Sequence, residues 1–355
     1  MKFSVIIPAY NAEKTLEATL QSIFRQERRE EWEVLVIDDS SADGTAALLA
    51  QLAETESALF WETIPNAGPA GARMAGIAKA TGDYLLFCDS DDLFLPGAFL
   101  KIEEDLARDP VDLLVFGFAI AEPGEGDGKP YHYETPFAGD RAEWSRHLPA
   151  LYRANQLNQV WGKVFSARLV RENDLRFPDL KFGEDRLFLF EAIRKAQRFA
   201  GEPAPLYLYL QQPGSLVSRF LPEKGEICVA IDSAVRGLFA EFGALSPESE
   251  SMLDYMFVKS ILSVLITLYA PSCPLIYREK RRFVKGILQL PALRQRRAFP
   301  PDCGKSFRVL AAVLRTRSVT LALLAAFAMN RGAKLAPGLF RKAKHVYNQE
   351  KGEEK

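Results

Sequence analysis

The chain has 355 residues, 48% of them hydrophobic and 26% charged, which excludes an intrinsically disordered chain and is typical of a globular one. Its length suits one large domain with an appendage. The net charge is −1, but residues 276–355 hold 19 Lys and Arg against 5 Asp and Glu. An acidic body with a basic C-terminal part indicates an anionic partner surface, either a membrane or a nucleic acid.

The four cysteines form no CxxC pair, so a thiolate zinc site is not expected and the thiols are those of a reducing compartment. The N-terminal MKFSVIIPAY turns into a strand without a long apolar segment, and no uncharged apolar run reaches about 18 residues. The sequence therefore predicts a cytoplasmic protein without a signal peptide or a membrane span.

Short apolar strands alternate with helices of about 10–15 residues over the first part of the chain. This alternation predicts βαβ units and a mostly parallel sheet flanked by helices. The strands predicted here are Phe3–Ile7, Trp32–Ile37, Ala58–Thr63, Tyr84–Cys88 and Asp112–Phe118. Farther on, Leu206–Gln211 alternates as an edge strand does, and the pattern after Pro222 is helical almost to the end.

Three carboxylates in four residues follow the strand Tyr84–Cys88, where the chain reads Asp89-Ser90-Asp91-Asp92. In an open α/β sheet, ligands bind at the carboxyl ends of the strands. Like charges this close repel one another unless a cation neutralises them, and carboxylate oxygens suit Mg²⁺ or Mn²⁺. The alternative is a solvated turn before a helix that starts near Leu93–Gly97.

Two further acidic pairs stand at the ends of predicted elements. Asp38-Asp39 ends the second strand, and Glu184-Asp185 begins a helix. Each pair could instead serve a helix, the first as caps and the second as partners of the helix dipole. The loops PAYNAEKT and Asn66–Gly71 lack the GxGxxG pattern, and Walker A is absent from the sequence, which argues against a dinucleotide or P-loop site.

Four stretches, in this order, resemble the family 2 glycosyltransferases: SVIIPAYNAEKTLEATLQSIFRQ, EVLVIDDSSADGT, NAGPAGARMAGIAKATGDYLLFCDSDD and WGKVFSARLVRENDLRFPDLKFGEDRLF. With the weaker trace YLQQPGSLVS they cover roughly residues 2–220. The resemblance implies a GT-A domain over residues 1–220, that is, a Rossmann-like α/β fold with a mostly parallel sheet flanked by helices. Residues 221–355 then form a helical, basic C-terminal region.

The resemblance also implies roles in binding a nucleotide sugar. Pro8–Tyr10 closes the first strand, where the family's nucleotide base packs, and Asp39, beside Asp38, sits where an acidic residue contacts the base or ribose. Arg73 falls where a basic residue approaches the diphosphate, with a surface position on its helix as the alternative. The residues implied in donor binding are Pro8, Ala9, Tyr10, Asp38, Asp39, Arg73, Asp89 and Ser90.

Two further roles concern the metal and the chemistry. By resemblance Asp91 is the direct ligand of a Mg²⁺ or Mn²⁺ ion, and Asp89 lies nearer the ribose or a metal-bound water. Asp185, of the catalytic pair Glu184-Asp185, is the implied general base for the acceptor hydroxyl. The implied reaction inverts the anomeric carbon while a hexose-type sugar passes from a nucleotide donor, UDP-linked by family habit, to a glycan or lipid-linked acceptor in surface polysaccharide synthesis.

Two rival functions remain. One is a catalytically inactive binding subunit with the same fold, against which the presence of Asp39, Asp91 and Asp185 counts, because a decayed site is free to lose them. The other is nucleotidyl transfer to a sugar phosphate, which needs a glycine-rich basic loop after the first strand. The sequence departs from the family pattern at Tyr209–Ser218, where many relatives carry a basic residue soon after the tyrosine.

The C-terminal region alternates basic and apolar stretches. Tyr277–Lys285 carries five basic residues, and Val309–Leu314 and Val319–Met329 are apolar with arginines beside them. This pattern predicts helices on an anionic bilayer, at the inner face of the plasma membrane. The alternative is a soluble helical bundle with a basic face. Nucleic acid is the poorer partner, because no recognised binding module accompanies the charge.

Overall fold

The computed structural model describes residues 1–335 except 28–30, 123, 125, 127, 132, 134, 212–218, 297–298 and 302. The predicted departure at Tyr209–Ser218 lies mostly outside the described residues, as do the last basic residues of the C-terminal region. The chain divides into two compact units, Met1–Gln212 and Pro213–Lys355.

The first unit is built on a ten-stranded mixed sheet in the described part of the chain. Its strands are β1 Phe3–Ala9, β2 Trp32–Asp38, β3 Leu59–Thr63, β4 Tyr84–Phe87, β5 Leu93–Phe94, β6 Leu113–Ala121, β7 Lys129–Tyr131, β8 Phe137–Gly139, β9 Lys163–Ser166 and β10 Phe199–Leu210. They lie in the order β3-β2-β1-β4-β9-β6-β10-β5, with β7 beside β6 and β8 beside β10. Strands β1 to β4 pair in parallel, so their carboxyl ends share one edge of the sheet.

Seven helices accompany this sheet in the described residues. They are α1 Leu16–Phe24, α2 Thr45–Ala53, α3 Gly68–Lys79, α4 Ala98–Arg108, α5 Arg141–Arg153, α6 Ala167–Glu172 and α7 Glu184–Lys195. Small residues let α3 approach the sheet closely, since a Cβ on Gly76 would lie 2.3 Å from Cγ2 of Ile6 on β1. The alternation of strands and helices predicted from the sequence is therefore confirmed, as is the α/β fold class.

The prediction of an edge strand at Leu206–Gln211 is wrong. Strand β10 has twelve residues and lies inside the sheet, with β6 on one side and β5 and β8 on the other. Its first half is hard to find in the sequence because Pro203 and Pro205 have no N–H to donate. The pairing of β10 with β6 shifts register on both sides of Pro205, which is how the sheet accommodates these residues.

Glu33 on β2 connects the amino ends of β1 and β4 through hydrogen bonds. Its carboxylate accepts hydrogen bonds from the Ser4 hydroxyl at 2.6 Å, from the Thr81 N–H at 2.6 Å and from the Thr81 hydroxyl at 2.7 Å. Lys2 Nζ lies 3.0 Å from the same group. Burial alone raises the pKa of Glu33, but these hydrogen bonds outweigh it and bring the pKa from 4.5 to about 2.

We expect Glu33→Gln to lower the free energy of unfolding by about 3 kcal/mol at pH 7, because the carboxylate is favoured in the folded state. A depressed folded pKa gives stability that is present above pH 4.5 and is lost as the pH falls towards 2. The difference between the two proteins should thus shrink by about half at pH 3. Urea unfolding at both pH values measures it, and exposed Glu17→Gln, on α1, is the control. A difference that does not change with pH would show that the carboxylate charge is not the cause.

The second unit is helical in the residues described, as the sequence predicts. Its helices are α8 Lys224–Glu241, α9 Pro247–Ile266, α10 Tyr277–Gln289, α11 Pro291–Gln295, α12 Lys305–Arg315 and α13 Val319–Leu335. One segment, Pro247–Tyr269, is long and apolar enough to cross a membrane. Because 67% of its most apolar stretch is buried within the protein, it also has the character of a core helix in a folded domain.

Candidate active site

The acidic turn Asp89–Asp92 follows β4 and is held in place by β10. Asp92 is fully buried, and its carboxylate accepts hydrogen bonds from the Tyr207 hydroxyl at 2.8 Å and from the Leu210 N–H at 2.9 Å. The Tyr207 oxygen in turn accepts a hydrogen bond from the Asp89 N–H at 3.0 Å. Burial, and then the charges of Asp89 and Asp91, raise the pKa of Asp92 well above its usual value. Asp92 therefore supports the turn, while Asp89 and Asp91 are left for other partners.

Tyr207 holds the acidic turn to β10, a role that the sequence does not indicate because an alternating strand gives a tyrosine only a packing role. Its ring is fully buried and stacks on Trp161 with 4.9 Å between ring centroids. A buried tyrosine hydroxyl needs a hydrogen-bond partner. That requirement is the one signal in the sequence that could have connected Tyr207 to a polar site, but it does not say which one.

We expect Tyr207→Phe to lower the free energy of unfolding by about 1–2 kcal/mol, because Asp92 then loses a partner that it cannot replace with water. The acidic turn loses its link to β10 at the same time, so the affinity for any ligand of the turn should fall too. Chemical denaturation measures the first effect. The control is Tyr209→Phe on the same strand, whose half-buried ring also stacks on Trp161, at 5.4 Å. Equal losses in both variants would contradict a role for the Tyr207 hydroxyl.

Arg73 on α3 joins the acidic turn to the start of α7. Its guanidinium donates to Asp89 Oδ1 at 2.9 Å and to Glu184 Oε1 at 3.3 Å. The residue is only 5% exposed, so the alternative of a surface arginine is wrong. Burial lowers the pKa of Arg73, but the charges of Asp89, Asp185 and Glu184 outweigh it, so the net shift is upward. The guanidinium remains a cation between two acidic segments that lie far apart in sequence.

Aromatic rings set the position of α7 against β4. Phe188 on α7 stacks on Phe177 at 4.0 Å and meets the edge of Phe87, the last residue of β4, at 5.9 Å. The Arg73 guanidinium lies 5.5 Å from the Phe177 ring on the same cluster. Gly183 enters α7 at a φ of +79°, a conformation that favours glycine. Packing and turn geometry together bring Glu184 and Asp185 to the carboxyl end of β4.

Glu184 and Asp185 lie in the first turn of α7, where the helix dipole favours negative charge. Burial raises the pKa of Asp185, and the charge of Arg73 partly opposes this shift. Burial and then the charge of Asp185 likewise raise the pKa of Glu184. Glu184 is engaged by Arg73, whereas Asp185 makes no ion pair within the described part of the chain. Of the pair, Asp185 therefore has the carboxylate available for proton transfer.

Few of the described side chains are placed to bind a metal ion. No group of three or more His, Cys, Asp or Glu side chains is arranged to hold a metal ion among the residues described here. Asp89 is paired with Arg73, while Asp91 is half-buried and has its pKa raised to about 6 by burial and by Asp89. Mg²⁺ commonly takes one or two protein carboxylates and completes its shell with water and substrate phosphates. Asp91, with Asp89 beside it, is compatible with such a site, and a cation there would favour the ionised Asp91.

Asp38 and Asp39 hold the loops beside β2 rather than the helix α2, whose N-cap is Gly44. Asp38 is buried, and its carboxylate accepts from the Ser41 N–H and the Thr63 hydroxyl. Asp39 accepts the Ala67 N–H at 2.6 Å and the Gly68 N–H at 2.9 Å. Asp39 therefore fixes the entry to α3, the helix that carries Arg73. The alternative in which this pair caps the next helix is not what the structure shows.

The other predicted binding residues lie along the same sheet edge. Pro8 and Ala9 end β1, with Ala9 buried and paired with Asp38, and Tyr10 follows with 56% of its surface exposed. Ser90 is half-buried within the acidic turn. The exposed Tyr10 ring is available for stacking on a ligand. The structure thus places the predicted residues at the ends of β1, β2 and β4, in the middle of α3 and at the start of α7.

Lys163 on β9 is fully buried, and its Nζ donates to the Trp161 carbonyl at 2.9 Å. Burial lowers its pKa well below the usual value, an effect that the charge of Asp185 partly opposes. Trp161 itself is 7% exposed and packs on Tyr207, which agrees with a core position.

The parallel β1-to-β4 edge, with its acidic turns and the acidic start of α7, agrees with the GT-A fold that the sequence resemblance implies. The sequence profile of Glycosyl transferase family 2 matches residues 4–176. This part of the chain belongs to that family, and the resemblance recognised in the sequence is confirmed.

Two curated relatives and one solved structure illustrate the similarity. The "Uncharacterized glycosyltransferase EpsJ" of Bacillus subtilis (strain 168) is 26% identical over 60% of this chain and 62% of its own length. The "Succinoglycan biosynthesis protein ExoO" of Rhizobium meliloti (strain 1021) is 30% identical over 64% of this chain and 66% of its own. The chain thus spans under two-thirds of the length of these relatives. The crystal structure of S. aureus TarS 1-349 in complex with UDP-GlcNAc superposes with a TM-score of 0.62 at 22% identity, covering 94% of this chain and 92% of that one, which shows a shared fold.

Proposed function

We propose that the protein is an inverting glycosyltransferase that moves a sugar from a nucleoside-diphosphate donor to a hydroxyl group. The observation that carries this proposal is the Arg73 guanidinium, bound to Asp89 at 2.9 Å and to Glu184 at 3.3 Å. This contact supports the proposal because it holds the acidic turn Asp89–Asp92 and the start of α7, which carries Asp185, around a single cation. Family membership of residues 4–176 supports the reaction class.

In this proposal each acidic group has its own task. Asp185 accepts the proton of the acceptor hydroxyl, and the upward shift of its pKa by burial makes it a stronger base than an exposed aspartate. Arg73 orients Asp89 and Glu184, and Asp92 with Tyr207 keeps the turn rigid. Asp91, with Asp89, is the ligand that we assign to Mg²⁺ or Mn²⁺. When bound there, the ion supplies positive charge beside the leaving diphosphate.

The names of the similar proteins support a choice of sugar donor and of acceptor for this chain. TarS has been crystallised with UDP-GlcNAc, which supports a UDP-linked donor for this chain. ExoO is named for succinoglycan biosynthesis, and TarS is a poly(ribitol-phosphate) beta-N-acetylglucosaminyltransferase. We therefore assign the protein to surface polysaccharide synthesis, with a glycan or a lipid-linked glycan as acceptor.

The test is nucleotide release from a panel of nucleotide sugars with Mn²⁺, Mg²⁺ or EDTA. We expect release from one UDP-sugar, lost with EDTA and reduced at least tenfold in Asp91→Asn, because a charge-assisted contact is worth about 1.5–3 kcal/mol. Glu104→Gln, an exposed position on α4, removes one charge as the control. Metal-dependent binding of nucleotide without release would favour an inactive binding subunit. Neither binding nor release of any nucleotide would contradict the site.

We also propose that the protein works at the cytoplasmic face of the plasma membrane. Helix α13 exposes Leu321, Leu324 and Phe327, with exposed fractions of 44%, 59% and 43%, and the basic residues of α10 lie in the same unit. Exposed apolar and basic groups together are typical of helices that lie on anionic lipid. Co-sedimentation with anionic vesicles at low salt tests it. If neutral and anionic vesicles bring down equal amounts, the charge attraction is absent.

A further inference from the structure

A cavity of about 320 Å³ is lined by residues of the second unit, none of which is assigned to the transfer reaction. This volume is at the lower end of the range for small-molecule sites. Six of its lining residues are apolar, and the other four are Arg294, Arg296, Arg315 and Arg317. No Asp or Glu lines it in the residues that the structure describes. Arginines at the rim of an apolar space favour a ligand that carries negative charge.

The four arginines differ in how far their charge is already compensated. Arg296 is bound by Asp232 at 2.5 Å and lies 3.7 Å from Asp254, so its charge is neutralised. The Arg315 guanidinium lies over the Phe299 ring at 4.8 Å. Arg294 and Arg317 are exposed and make no ion pair within the described residues. The cavity therefore has a cationic rim that is not offset by a carboxylate lining it.

The walls of the cavity, in contrast to its basic rim, are apolar. Leu293 of α11 and Phe299 are half-buried and keep apolar surface exposed to the cavity. The buried lining residues behind them are Val258 of α9, Leu288 of α10, and Ala311 and Leu314 of α12. A small inorganic anion would use the arginine rim and leave this apolar wall in contact with water. A hydrocarbon chain attached to the anion would remove apolar surface from water, at about 25 cal/mol per Å². The two surfaces together fit a ligand that is charged at one end and apolar at the other.

We propose that this cavity binds a phosphate ester that carries a hydrocarbon chain. The phosphate lies at the rim, where Arg294 and Arg317 can donate charge-assisted hydrogen bonds. The chain lies against the wall formed by α9, α10 and α12. Such a ligand could be a membrane phospholipid or a phosphorylated lipid that carries the acceptor, and the same chemistry recognises both. The site is separate from the donor site, so it does not depend on the proposed transfer reaction.

Calorimetric titration of the full chain with octyl phosphate, inorganic phosphate and octyl glucoside tests the proposal. We expect octyl phosphate to bind more tightly than inorganic phosphate and octyl glucoside not to bind. The double variant Arg294→Gln/Arg317→Gln should bind octyl phosphate at least tenfold more weakly. The matched control is Arg25→Gln/Arg108→Gln, which removes the same charge from exposed positions in the first unit, one after α1 and one at the end of α4, and should leave the affinity unchanged.

Three outcomes overturn the proposal. Equal affinity for octyl phosphate and inorganic phosphate would show that the wall takes no part, and equal weakening in both double variants would show that only overall charge matters. No binding of octyl phosphate to the wild type would remove the site. Circular dichroism, and unchanged donor hydrolysis where the wild type has it, establish that the variants are folded. Arg294→Lys/Arg317→Lys should restore most of the affinity, because the charge is kept.

Vesicles distinguish the two sources of ligand. Phosphatidylcholine vesicles with phosphatidic acid present a phosphate monoester on a membrane lipid. If these vesicles retain the wild type and the control but release Arg294→Gln/Arg317→Gln, the cavity accepts a lipid in its bilayer. If octyl phosphate binds as expected while the vesicles retain both double variants equally, the cavity takes a phosphorylated lipid that it must extract. Both results support the phosphate ester.

Discussion

Asp185→Asn should lower the rate of sugar transfer by about 10²–10⁴-fold while donor binding stays within about twofold. The amide has nearly the shape of the carboxylate but cannot accept a proton from the acceptor hydroxyl. Asp185 makes no ion pair within the described part of the chain, so the substitution removes a base without releasing a buried partner. Steady-state transfer to an acceptor glycan, together with nucleotide affinity, separates the two quantities.

The control for this variant is Glu191→Gln on the same helix, an exposed residue whose carboxylate pairs with Arg194. It changes the charge of α7 by the same amount at a distance from the turn. A loss of transfer equal to that of Asp185→Asn would mean that the charge of the helix, and not a base at Asp185, is responsible. Unimpaired transfer in Asp185→Asn would remove Asp185 from the mechanism.

Arg73→Met should lower the free energy of unfolding by about 3–5 kcal/mol, because Asp89 and Glu184 lose the cation between them. For a unit of this size the loss corresponds to a fall in melting temperature on the order of 10 °C. Transfer should also be lost, because the acidic turn and the start of α7 no longer share a partner. Thermal unfolding and the transfer assay measure the two effects.

Two comparisons make the Arg73 result specific. Lys79→Met, at the exposed end of the same helix, breaks the ion pair with Glu62 and should cost about 1 kcal/mol or less. Arg73→Lys keeps the charge but cannot hold two carboxylates with the same planar geometry, so it should recover stability only in part. If Arg73→Met is as stable as Lys79→Met, the bridge contributes nothing to the fold.

The sequence was sufficient for much of this fold. Short apolar runs that end in Asp39 and Asp89, with helices between them, predict parallel strands whose acidic ends share one edge. Helix caps likewise involve neighbouring residues: Asp140 accepts hydrogen bonds from the N–H groups of Ala142 and Glu143, and Ser166 accepts one from the Leu169 N–H. These features depend on neighbours in the chain, which is why they could be predicted.

What could not be predicted depends on contacts between distant segments. Arg73 meets Glu184 across 111 residues, and Tyr207 meets Asp92 across 115. No local pattern indicates that these residues are partners, and an alternating strand gives Tyr207 an ordinary packing role. The prolines in the first half of β10 prevented that half from being recognised as a strand. The position of β10 inside the sheet therefore could not be predicted.

The acidic residues that we propose for catalysis also lower the stability of their turn. Asp89, Asp91 and Asp92 crowd together in a partly buried turn, and burial with mutual repulsion raises the pKa of Asp91 and Asp92. Amide substitutions in this turn relieve the repulsion and raise the stability of the fold. A chain that no longer catalyses a reaction can accept them, and the gain matters because most proteins lie close to the stability they need. Under the proposed function, selection for activity would keep this turn acidic. A descendant that retained only the fold would be expected to lose Asp91 before Asp92, because Asp92 also anchors β10 through Tyr207 and Leu210.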